Sequence, residues 1–143
     1  MGTKNRQKEK VLHTFFRKLI EELLNKFTSE AIEMDLSLQE HYIIEVLGRN
    51  EQMTISNLAD RVSAPLTTIS STLDRLYDQG FVERERSQED RRVVEVSLSD
   101  KGREFFRANQ QETRELVDNF LSRLSEEERE DLYRILSKMD WED

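Results

Sequence analysis

The stretch "SAPLTTISSTLDRLYDQGFVERERSQEDRRVVEVSLSDKG", Ser63 to Gly102, changes its hydrophobic period at Gly80. Before the glycine, Leu66, Ile69, Leu73 and Leu76 recur at helical steps. Pro65 suits a first turn, where its missing N–H costs nothing, and Ser63 is the expected cap. Gly80 takes the position just past the helix end. After it, Val82, Arg84 and Arg86 alternate with Phe81, Glu83 and Glu85. A polar turn "SQEDR" follows, and then Val94, Val96 and Leu98 share one face of a second strand. A helix that stops at a glycine and runs into a charged hairpin leaves few folds open.

The chain before it narrows them further. "SLQE" at Ser37–Glu40 has the form of a capping box and opens a helix carrying Tyr42, Ile43, Val46 and Leu47. Thr54 can cap a short third helix that buries Ile55, Leu58, Ala59 and Val62. Three helices and a hairpin in this order make a winged helix. Both flanks are helical. Val11, Leu12, Phe15, Phe16, Leu19, Ile20, Leu23, Leu24 and Phe27 form a stripe too wide for one neighbour, which implies a second contact surface. Ser125–Glu128 is another capping box, before Leu132, Ile135, Leu136 and Met139, and Trp141 is expected to anchor that last helix. The expected fold is mainly α (α+β): a winged helix-turn-helix with a two-stranded β-wing, flanked by N- and C-terminal dimerisation helices. It is read as one domain, with a winged-helix lobe over 37–102 between helical dimerisation segments 1–35 and 103–143.

Composition removes several functions. There is no cysteine, which excludes thiol redox sensing, and only two histidines, His13 and His41, so neither a metal site nor a cofactor is expected. No nucleophile–base pair or P-loop stands out, and an enzyme is not expected. No apolar run is long enough to span a membrane and no signal peptide is visible, so a cytoplasmic protein is expected. The net charge is −8, and residues 103–143 hold 7 basic against 12 acidic groups. Such a field repels phosphate, so any nucleic-acid contact belongs to the first two thirds of the chain, through a few placed cations.

The helix before Gly80 and the hairpin after it supply those contacts. Thr67, Thr68, Ser71 and Arg75 lie opposite the apolar face, with Ser70 at its border. Short hydroxyls are mediocre helix formers, so helix propensity does not explain them. Asp90, Arg91 and Arg92 crowd the hairpin tip. A protruding guanidinium can enter a narrow minor groove, where negative potential concentrates.

With these residues in view, the chain resembles a MarR-family transcriptional regulator, a dimeric winged helix of the multiple-antibiotic-resistance repressor type. The wing signature D-x-R-x5-L-[ST]-x-x-G reads Asp90, Arg92, Leu98, Ser99, Gly102 with every spacing kept. "LADRVSAPLTTISSTLDRLYDQGFVER" matches the family's order of third helix, recognition helix and wing entry. The resemblance implies a homodimer on a pseudo-palindromic operator in double-stranded DNA, with recognition helices in successive major grooves and wings in flanking minor grooves. It implies that Arg92 is the minor-groove arginine, that Asp90 shapes the wing by pairing with a nearby arginine, and that Thr67, Thr68, Ser70, Ser71 and Arg75 face DNA. It also implies repression relieved by a small aromatic or amphipathic effector, whose binding residues the sequence leaves unknown. Pro65 stands where the family often has a capping serine, and the first turns lack the usual basic residue.

Some alternatives stay open. Arg84, Arg86 and Arg91 either reach DNA or, for the first two, pair across strands with Glu83, Glu85 or Glu95. His41 lines an effector pocket or is a partly exposed bystander. The whole module is a sequence-specific DNA-binding regulator or, alternatively, a winged helix used for protein interaction.

Overall fold

The computed structural model describes residues 2–139, without the side chains of residues 2–4, 27, 28, 30 and 31. The expectations for the side chains of Phe27 and Trp141 lie outside the described residues. The chain forms two compact units, residues 1–102 and 103–143.

In the first unit the elements run α1 (Gly2–Glu33), α2 (Leu38–Arg49), β1 (Met53–Thr54), α3 (Ile55–Arg61), α4 (Leu66–Asp78), β2 (Val82–Arg86) and β3 (Val94–Leu98). The sheet is antiparallel in the order β1-β3-β2: the expected two-stranded wing, β2 and β3, gains a third strand, β1, on the other edge of β3. The extra strand is only two residues long, too short for any period to show. Its Thr54 pairs with Glu95 and also caps α3, accepting from the Asn57 N–H at 3.1 Å.

The core is made by α2, α3, α4 and the sheet. Ile43, Ile44, Leu47, Leu58, Ile69, Leu73, Leu76, Phe81, Val96 and Leu98 are all buried. Each contributes roughly 1.5–3 kcal/mol for leaving water. Two residues expected on apolar faces turn outward instead, Tyr42 and Leu66, because each helix is covered on one side only. His41 is buried, not partly exposed. Burial, and then the nearby Lys26 ammonium, hold its imidazole below the ordinary value.

Helix α4 ends in a Schellman motif. Gly80, at φ +80°, donates to Tyr77 C=O, and Phe81 N–H donates to Leu76 C=O, both at 2.9 Å. The start of α4 differs from expectation. Ser63 has φ +51° and ends α3, its N–H bonding Asp60 C=O at 3.2 Å. It therefore cannot cap α4, whose N-cap is Pro65 with no side-chain bond.

Helix α5 (Asp100–Leu121) begins at the end of the wing. Ser99 Oγ accepts from Gly102 N–H at 3.1 Å and donates to Gly80 C=O at 2.6 Å, so one hydroxyl caps α5 and clamps the end of α4. A Cβ on Gly102 would lie 2.1 Å from the Phe81 carbonyl oxygen, which admits only glycine. The Leu-Ser-x-x-Gly part of the signature is thus a packing requirement.

The second unit holds the remainder of α5 and α6 (Glu126–Leu136). Ser125 and Glu128 form the expected capping box, and Arg129 Nε donates to Leu121 C=O at 2.9 Å across the turn. Helix α6 has no buried residue.

Candidate nucleic-acid interface

Helix α4 turns two different faces to its surroundings. Ile69, Leu73 and Leu76 go into the core, while Thr67, Ser71 and Arg75 are exposed and Thr68 and Ser70 lie half-buried at the edge. Ser71 Oγ donates to Thr68 C=O at 2.9 Å, which leaves its lone pairs outward as acceptors. Thr72, absent from the sequence-based set, spends its hydroxyl the same way at 2.8 Å and is buried. Thr67 and Ser70 keep hydroxyls with no protein partner among the described residues, free to donate or accept.

The wing tip is a β-turn over Asp90–Val93, with Val93 N–H donating to Asp90 C=O at 2.9 Å. Arg91 and Arg92 are its two central residues and are exposed. The Asp90 carboxylate accepts from the Arg92 backbone N–H at 3.0 Å. This corrects the expected pairing with an arginine side chain. Asp90 shapes the turn through the backbone, as an Asx turn does, and so leaves both guanidiniums unspent. Among the described residues, neither has a protein partner.

Arg84 belongs to a different class. Its Nη2 lies 2.7 Å from Asp74 Oδ1 on α4 and 3.5 Å from Ser70 C=O, and its guanidinium sits 5.9 Å from the Tyr77 ring centre. The expected cross-strand partners fail on register. Arg84 faces Val96 and Arg86 faces Val94, while Glu85 faces Glu95. That like-charged pair is relieved by Gln52, whose Nε2 donates to Glu95 at 2.7 Å. Arg84 therefore ties the wing root to α4, and its side chain is only 28% exposed. Arg86 stays exposed on the wing.

Arg75 is exposed but anchored. Its Nε lies 3.0 Å from Oε1 of Glu40, the capping-box residue of α2. Gln79 adds a second tie from the end of α4, donating to Asp35 C=O at 3.1 Å. Glu40, Asp74 and Gln79 were not legible as parts of the site, because their partners lie far off in sequence.

The chain that carries this helix face of hydroxyls and this arginine-tipped wing has known relatives. The MarR family model matches residues 36–94. YfiV of Bacillus subtilis, an uncharacterized HTH-type transcriptional regulator, is 32% identical over 76% of this chain and 68% of its own. The chain belongs to the MarR family. Another relative, the HTH-type transcriptional regulator BilQ of Clostridium symbiosum, is 30% identical to this MarR-family chain over 78% of it and 77% of the relative. Among solved structures, Streptococcus pneumoniae FabT in complex with DNA superposes with a TM-score of 0.71 at 27% identity, covering 90% of this chain and 94% of FabT. No described helix of this MarR-family protein is long and apolar enough to cross a membrane.

Proposed function

We propose that this protein is a sequence-specific double-stranded-DNA-binding transcriptional regulator, acting as a dimeric repressor. The observation that carries the reading is the coupling of two readers. Arg84 on Asp74 ties the wing root to α4, so the hydroxyl face and the free Arg91–Arg92 tip are carried on adjoining, linked elements. Hydroxyls can bond phosphates or base edges and threonine methyls can meet thymine methyls in the major groove, while the tip arginines suit a narrow minor groove. With a net charge of −8, few cations are placed to contact phosphate, which favours selectivity over raw affinity.

A homodimer is supported by apolar side chains left in water. Val11, Leu12, Phe16, Ile20 and Leu24 on α1, and Ile135 and Leu136 on α6, are all exposed. Two-fold symmetry then calls for an inverted repeat with half-sites about 34–36 Å apart. Release by a small aromatic or amphipathic effector belongs to the same reading and rests on the family resemblance; a thiol switch is excluded, since the chain has no cysteine.

The test is selection from random duplex DNA with wild type and Arg92→Ala. An inverted repeat enriched by wild type, with at least about tenfold weaker binding by the variant and an unchanged melting temperature, is expected. No enrichment by wild type would move the assignment to a protein-interaction module.

A further inference from the structure

We propose that Glu40 is a positioning residue for base reading, holding the Arg75 guanidinium by its inner nitrogen so that its outer fork is presented to DNA. The inference rests on α4 being the DNA-reading helix.

A capping box asks little of its third residue. One oxygen must accept the cap residue's N–H, and glutamine serves as well as glutamate. Here Glu40 Oε2 does that work, accepting from Ser37 N–H at 2.7 Å, while Ser37 Oγ accepts from Glu40 N–H at 3.2 Å. The second oxygen is not needed for the cap. It faces Arg75 Nε at 3.0 Å, in a pair whose side chains are 2% exposed for Glu40 and 60% for Arg75. A buried anion at one end and a mostly exposed guanidinium at the other is an asymmetric pair. It anchors the arginine without covering it.

Which nitrogen is held decides what remains. Arg84 is paired through Nη2 and its side chain is only 28% exposed. Arg75 is held at Nε, and its Nη1 and Nη2 have no protein partner among the described residues. The Glu40 carboxylate, 3.0 Å from Nε, anchors the head group on its inner side and leaves the Nη pair on the outer side. Those two donors are the ones a guanine O6/N7 pair accepts. Thr68, Ser71 and Arg75 follow at steps of three and four, so the fork extends the hydroxyl row of α4. The Gln79–Asp35 bond steadies the same end of the helix against the α1–α2 junction. Glutamine at position 40 could keep the cap bond but carries no charge, so the ion pair that holds Arg75 would be lost.

The experiment applies the same selection to the full chain as wild type, Arg75→Ala, Glu40→Gln, the double variant and Ser37→Ala. At the base pair whose preference Arg75→Ala relaxes, Glu40→Gln should reduce the preference about fivefold, and the double variant should add nothing to Arg75→Ala. Ser37→Ala weakens the cap while leaving the carboxylate on Arg75, so its base preferences should match wild type. A Glu40→Gln protein with wild-type preference, or with uniform loss at every position, would overturn the proposal. So would an Arg75→Ala protein that relaxes no position. If Glu40→Gln is unfolded at the assay temperature, Glu40→Asp, which withdraws the carboxylate by one methylene, is judged by the same criterion. Enrichment of nothing by wild type would instead remove the DNA reading itself.

Discussion

Helices α4 and α6 are amphipathic segments of similar length, 13 and 11 residues, and they end up in opposite states. Ile69, Leu73 and Leu76 of α4 are wholly buried, whereas Ile135 and Leu136 of α6 remain 50% and 42% exposed. Helix α1 resembles α6 in this respect, with Phe16 at 52%. The difference lies in what the rest of the chain supplies. Helix α4 meets α2, α3 and the sheet within its own unit, and its far face is occupied by hydroxyls that water satisfies. The outer faces of α1 and α6 are apolar and lack such a cover. One part of the molecule completes its own core, and the other leaves apolar faces in water, which the proposed dimer would cover.

The sharpest way to break this contrast is at the self-sufficient end. Gly102→Ala forces a methyl onto the Phe81 carbonyl, at the joint of α4, wing and α5. It should cost about 3 kcal/mol, near the upper end of overpacking penalties, as read by chemical denaturation. A variant as stable as wild type would show that this joint is looser than the contact implies. At the other end, Leu12→Glu with Phe16→Glu should leave the winged lobe's stability unchanged while weakening the proposed dimer by about 100-fold, because a two-fold interface repeats each change. Sedimentation checks it, and an unaltered dimer would place the interface elsewhere. The smallest effect concerns His41. Its folded-state pKa is lowered, so below the ordinary histidine value the unfolded chain binds more protons than the folded one. Stability should be fully present above about pH 6.5 and decline as pH falls from there toward the folded value, and His41→Gln should flatten that part of the profile. A melting temperature equally pH-dependent in both proteins would remove His41 from the account.

Local chemistry explains which parts were legible beforehand. Ser37 with Glu40, Ser125 with Glu128, and Gly80 act on neighbours a few residues away, so their roles can be read along the chain. The order of helices and hairpin follows from period and punctuation in the same way. Ser63 shows the limit even of local signals. It is a good capping residue type, but the turn it occupies required a left-handed backbone, and the cap passed to Pro65. The two-residue strand β1 has no period at all, and only the β3 backbone makes it a strand.

The site divides along the same line. That Arg91 and Arg92 stand at a wing tip, and that hydroxyls line one face of α4, was settled by the sequence, because spacing alone sets which residues share a turn or a face. The contacts of the other arginines were decided by tertiary structure. Register opposed Arg84 to Val96 and sent it to Asp74, and the packing of α2 on α4 brought Glu40 to Arg75 across 35 positions of chain. An ion pair between distant residues depends on where two backbones meet, and no local pattern encodes that meeting.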